Sequence, residues 1–170
     1  MALSTANLYS ATQAGGTLFG LQLSNPVDTA AAYKGPSTAY GQKNDPLVGK
    51  KIGGVNVFGG GLALYNSAKQ LVGAIGVSGD SSCADHNIAW RTRNNLKFDY
   101  VPGGVSGTAT RPDNIVYDFV YTLDAKVTGS NGVNYTVSAQ VPPGASKGGW
   151  GHPACNTSVV GLAAALPTVP

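Results

Sequence analysis

Short apolar runs bounded by glycine and polar residues divide this chain, and the clearest of them lie between residues 59 and 79. Gly59-Gly60-Gly61-Leu62-Ala63-Leu64-Tyr65 and Leu71-Val72-Gly73-Ala74-Ile75-Gly76-Val77 have the length and apolar character of buried strands. Asn66-Ser67-Ala68-Lys69-Gln70 joins them into a β-hairpin, and the second run ends in a Ser78-Gly79 turn. Glycines inside and beside the second strand leave room for another backbone, or for a flat ligand. The turn feeds a helix over residues 82–96. Ser81 or Ser82 can cap it, and Asp85 falls in the first turn, where the macrodipole favours a carboxylate. Arg91 and Arg93 lie toward the opposite end, where cations are favoured. Ala84 and Ile88, with the stem of Arg91, share one face of this helix. Cys83, His86 and Trp90 share an adjacent one.

Elsewhere the pattern is weaker. Leu18-Phe19-Gly20-Leu21-Gln22-Leu23 reads as a short strand or buried loop, and Asn25-Pro26 as a turn. Residues 27–33 suit a short helix with Pro26 near its first turn. Gly35-Pro36 and Asn44-Asp45-Pro46 are further breakers. After the helix, a Gly/Ser/Thr loop runs from Val101-Pro102-Gly103-Gly104 to Pro112. Residues 114–121 then read as a strand, with residues 133–139 as its hairpin partner across Gly129-Ser130-Asn131-Gly132. A Gly148-Gly149-Trp150-Gly151-His152-Pro153-Ala154-Cys155 segment and a small-residue run close the chain. The organisation expected is one domain over residues 1–170. Residues 1–50 are weakly patterned, 51–100 carry the core hairpin and helix, and 101–170 form a C-terminal extension with a second hairpin.

Composition narrows the setting. Of 170 residues only 11% are charged, against about 25% in ordinary domains, and 24 are glycine. Such a surface is expected either to be covered by other subunits or to work outside the cytosol. The net charge of +3 is scattered, with no basic stripe interleaved with aromatics, which argues against nucleic acid. No apolar run reaches the roughly 18 residues of a membrane span. Met1-Ala2-Leu3-Ser4-Thr5-Ala6 has neither a basic n-region nor a long apolar run, so no signal peptide is expected. The two cysteines, Cys83 and Cys155, can form one disulfide or remain free thiols, and their spacing fits no zinc motif. The sequons at Asn134 and Asn156 are short patterns of the kind that arise by chance.

Several residues can carry chemistry. His86 and His152 are the only histidines, and imidazole can ligate a metal or haem iron. The plainer role for His86 is a hydrogen bond to a carbonyl or to Asp85. Asp80 and Asp85 could bind a metal, or Asp85 could act as a base, although capping and dipole compensation are the commoner uses of carboxylates there. The helix start at Ser78-Gly79-Asp80-Ser81-Ser82 could take a carboxylate on backbone N–H groups, with Asp80 opposing it. A Cys83 thiolate beside His86 would be a nucleophile. Gly59-Gly60-Gly61 lacks the GK[ST] ending of a phosphate loop. Trp90, Trp150, Tyr117 and Tyr121 are of a type more often found in cores or interfaces than stacked on a ligand.

The pattern GGGLxLY…LVGAIGVSG…D resembles the GlcG/HbpS-like family over residues 53–96, and the SxCADHNIAWR run with a later GHPxC is similar to a longer subgroup described as haem-binding. Asp85 falls where the family has an acidic residue. His86 stands where a second acidic residue is common, a departure from the pattern of an acidic iron-binding pair. The resemblance implies an α/β fold of the α+β kind, a profilin-like sandwich with an antiparallel sheet and packed helices, assembled into oligomers. It implies haem or a related tetrapyrrole, with a corrinoid as the alternative, held between subunits. The ligand site would comprise His86, Asp85, Ser78, Gly79 and His152, with His86 as the metal ligand. The co-occurrence of the CADH and GHPxC segments implies a Cys83–Cys155 disulfide, which would draw the two histidines together. Subgroup members carry an export signal, which favours a periplasmic or extracellular location. The helix-strand-strand-helix unit that usually opens the family domain is not recognisable, which leaves a fragment of the domain, a reworked fold, or completion by a homo-oligomer or a partner chain; the low charge favours the last. Two other functions stay open: a subunit of an enzyme acting on a small hydroxy acid or carbonyl compound, with Asp85 and His86 moving protons, and a purely structural assembly subunit.

Overall fold

The structure is a computed structural model that describes residues 1–119, 125–128, 134–137 and 146–170. The chain forms two compact units, one of residues 1–19 with 57–170 and the other of residues 20–56.

In the larger unit a 3-10 turn, Thr5–Asn7, leads into helix α1, Leu8–Thr12. The hairpin follows as β1, Gly61–Tyr65, and β2, Leu71–Gly76, paired antiparallel with Leu62 opposite Ile75 and Ala63 opposite Ala74. The register shifts between Leu64 and Tyr65, where the loop is pinned by the Asn66 carboxamide oxygen accepting from the N–H groups of Ala68 and Gln70. Helix α3, Ser82–Asn95, starts where expected, with the Ser81 hydroxyl accepting from the Ala84 N–H. A second antiparallel pair, β3, Ala125–Thr128, and β4, Asn134–Val137, stands apart from the first sheet. The last element is helix α4, Val159–Ala164.

Two apolar clusters flank α3. Ala6, Cys83, Ile115, Val159 and Ala163 form one, tying α3 to α4 and the N-terminal turn. Leu62, Ala89, Trp90 and Leu166 form the other, under the hairpin. The buried side of α3 is the Cys83, His86 and Trp90 face extended by Ala89 and Arg93, while Ile88 is exposed. The triple glycine is explained by this packing. A Cβ on Gly59 would run into the Ser82 carbonyl, and one on Gly60 into the Val77 carbonyl, so the start of α3 can sit against the strand only because those positions are bare.

Three expectations are corrected. The runs read as buried strands differ: β1 is largely covered, but β2 is exposed almost throughout, Leu71 at 64% and Val72 at 52%. No described element covers its outer face. Residues 114–119 are not a strand, and make only an isolated bridge from Phe119 to Ser146. The carbonyl of Val116 instead accepts from the His152 N–H, which secures this stretch to the GHPxC segment. The partner of β4 is therefore β3 and not residues 114–121. The remainder of those two expected strands, with Tyr121 and the turn at 129–132, lies outside the described residues. The α+β class holds, but the described strands form two separate two-stranded sheets.

In the smaller unit, helix α2, Thr29–Ala32, is shorter than the helix expected over 27–33. Asp28 caps it, its carboxylate accepting from the N–H groups of Ala30 and Ala31. The run at Gly20–Leu23 is a series of turns and no strand. Val27 bridges Gly53, and the Asp28 N–H donates to the Ile52 carbonyl at 2.8 Å, closing the unit on itself.

Candidate functional sites

The start of α3 is welded to the C-terminal segment. Cys83 and Cys155 form a disulfide with Cα atoms 6.2 Å apart. Neither sulfur is therefore a thiolate nucleophile. The bridge brings the GHPxC segment to the helix.

His86 is wholly buried. The Asn114 amide donates to the Ala163 carbonyl at 3.1 Å, which turns its oxygen toward His86 Nε2, 3.0 Å away. The Ile115 N–H lies between the two, 3.1 Å from His86 Nε2 and 2.9 Å from the Asn114 oxygen, while among the described residues the buried Nδ1 has no partner. Burial pushes the His86 pKa down to about 4, so the ring is neutral at ordinary pH. His152 is also buried; its Nδ1–H donates to the Pro153 carbonyl at 2.7 Å, and burial again lowers its pKa.

Asp85 is buried, and its carboxylate accepts from the Asp80 N–H at 3.2 Å, closing the turn before the helix. Asp80 in turn accepts from the Ser81 N–H. Ser78 and Gly79 are exposed in the turn after β2. The five residues expected at one site thus fall into two groups: His86, Asp85 and His152 inside the fold, Ser78 and Gly79 on its surface. Among the described residues no group of three or more histidine, cysteine or acidic side chains could hold a metal ion.

The hairpin carries an open groove. A groove of about 690 Å³ is lined by Leu3, Leu62, Ala63, Leu71, Ala74 and Ile75, with Thr5 and the glycines 61 and 73. Among the described residues no charged side chain lines it. The Thr5 hydroxyl accepts from the Gly61 N–H at 2.9 Å, so the groove floor joins residues 56 positions apart. The glycines of β2 are open: a Cβ at Gly73 would meet only Leu64, at 3.9 Å, and one at Gly76 would meet nothing within 4 Å. The sequence pointed to these glycines but not to the groove, because its other wall is the N-terminal segment.

An ion pair was also hidden from the sequence. Arg93, expected to serve the helix dipole, binds Asp113 through two hydrogen bonds with both side chains wholly buried. Its guanidinium lies 4.6 Å from the Trp90 ring centre and also donates to the Ala63 carbonyl.

The larger unit is an α+β body with an uncovered apolar hairpin. Residues 24–93 match the family described as haem degrading protein HbpS-like. The match bears out the resemblance seen in the hairpin and helix. It begins well before residue 53, so it takes in a stretch the motifs left out, and it stops short of the GHPxC segment. No curated protein and no solved structure matches the chain.

Proposed function

We propose that this chain is a binding protein for haem or a closely related tetrapyrrole, which it takes on the apolar hairpin groove as part of an oligomer. The observation that carries the reading is the outer side of β2: apolar, exposed, and opened by glycines at 73 and 76. A volume of about 690 Å³ is within the usual range for organic ligands, roughly 300–1,000 Å³. The family match supports haem and gives no support to a corrinoid.

The groove suits the apolar faces of a macrocycle but not its iron. Its described walls hold no imidazole, thiolate or carboxylate. His86 and His152 are inside the fold, and both cysteines are oxidised. The function proposed is therefore binding, without an iron ligand from these walls. Ser78 and Gly79, exposed directly after β2, supply a polar rim. A second subunit covers the rest of the ligand, since the groove is open to solvent on a strand without a covering layer. The enzyme alternative is weaker, because Asp85 and His86 are both buried in hydrogen bonds of the fold. The disulfide fits an oxidising compartment outside the cytosol, and no described helix is long and apolar enough to cross a membrane.

Hemin titration followed at the Soret band tests the reading. Gly73→Phe places a side chain in open space and should weaken binding by about tenfold or more, ~1.4 kcal/mol, with the melting temperature retained. Saturable binding unchanged by this substitution, or no saturable binding by the native chain, would sink it.

A further inference from the structure

Two cavities lie against α4 and share Tyr117 and Val160 as walls. The larger, of about 260 Å³, is also lined by Arg111, Ile115 and Ala163. The smaller, of about 80 Å³, is also lined by Phe119 and His152. None of these residues lines the hairpin groove, so this region is separate from the proposed haem site.

Polar groups with unmet capacity gather here. The Tyr117 hydroxyl and His152 Nε2 are buried and have no hydrogen-bond partner among the described residues. His152 is 4% exposed, and with Nδ1–H donating to the Pro153 carbonyl, Nε2 is left as an acceptor. Arg111 is fixed by Nε donating to the Leu166 carbonyl at 2.7 Å, yet among the described residues it has no carboxylate within ion-pair distance. The other charged wall, Asp118, is already satisfied by the Ser146 hydroxyl and the Gly148 N–H, each at 2.7 Å. Buried polar atoms are rarely left without partners, and two of them beside an unpaired guanidinium call for an occupant. Ser106, Thr108 and Asn114 add polar wall to the larger chamber and the rest is apolar or aromatic, and the Tyr9 ring lies 5.2 Å from that of His152.

We propose that the two chambers form one site for a small aromatic hydroxy acid. The carboxylate pairs with Arg111, which is suited to planar anions. The ring lies between Val160 and Tyr117, whose hydroxyl can donate or accept. The hydroxyl at the far end donates to His152 Nε2. A donor at that end is required because, with Nδ1–H on the Pro153 carbonyl, Nε2 presents a lone pair.

Calorimetric titration of the full chain with para-hydroxybenzoate, benzoate and phenol tests this. Para-hydroxybenzoate should bind saturably. Benzoate and phenol, each lacking one pole, should bind at least about tenfold more weakly, ~1.4 kcal/mol. Val160 is half exposed, so Val160→Phe should fill the shared wall and abolish binding with circular dichroism unchanged. His152→Gln should weaken para-hydroxybenzoate while leaving benzoate unaffected. No saturable heat from the native chain, equal affinity for the three compounds, or a folded Val160→Phe variant of native affinity would each overturn the site. The comparison among ligands uses the native chain alone, so it stands even if a variant misfolds. Hemin binding is read separately, and its failure leaves this result untouched.

Discussion

Arg93 and Asp113 form a two-pronged ion pair, at 2.6 and 2.8 Å, with both side chains wholly buried. Trp90 lies over the guanidinium, and the Ala63 carbonyl accepts from it, so one arginine joins α3, β1 and the loop before Asn114. Buried pairs of this kind are costly to break singly, because the survivor keeps its charge without a partner. Asp113→Ala should destabilise the fold by about 3–5 kcal/mol. The double change Arg93→Met, Asp113→Leu should cost less than Asp113→Ala alone. Urea denaturation of the three proteins checks this, and a loss below about 1 kcal/mol for Asp113→Ala would show that the pair does not hold these elements.

The disulfide closes a span of 72 residues between α3 and the GHPxC segment. Reduction, or Cys155→Ser, should lower stability by about 2–4 kcal/mol. Thermal melts with and without reductant measure it. Coincident melts would mean that packing alone holds the segment.

Acid should weaken the fold through its histidines. Burial lowers the folded-state pKa of His86 to about 4 and lowers that of His152. The unfolded chain gains protons near the ordinary value of about 6.5, while the folded chain does not. Stability is thus full above about 6.5 and falls as the pH drops toward 4, with His86 alone costing on the order of 3 kcal/mol at the low end. His86→Gln keeps a polar group facing Asn114 and the Ile115 N–H and removes the titration. Its stability, measured by denaturation across this range, should fall less steeply than that of the native chain. Parallel curves would count against His86 as the source.

Assembly is the remaining expectation. Leu71 and Val72 are 64% and 52% exposed on a strand with no described cover. Light scattering of the native chain at micromolar concentration should show an oligomer, and Leu71→Lys with Val72→Lys should dissociate it. A monodisperse native species near 17.2 kDa would refute the covered-hairpin reading.

The hairpin, its loop, the cap at Ser81 and the helix from Ser82 were legible in the sequence because each is set by local chemistry: glycine boundaries, a capping hydroxyl and short apolar runs. The disulfide was foreseen from the resemblance of its two segments to a known family, and the structure places it there. The exposure of β2 was not legible. An apolar strand looks the same whether or not another layer lies on it, and only the tertiary structure shows that none of the described elements does. The strand expected over 114–121 failed for a related reason. Its apolar residues pack against α4, while the Val116 carbonyl accepts from His152, so the described part never joins a ladder. The roles of Arg93, His86 and His152 were likewise decided at a distance. Asp113, Asn114 and the disulfide-tethered segment that carries His152 are far from α3 in sequence, and it is burial beside them that makes one arginine an internal anchor and holds both histidines below the usual imidazole range. Sequence by itself fixed the local elements; long-range packing fixed which polar groups are satisfied and which surfaces are left open, because burial depends on what the rest of the chain brings alongside.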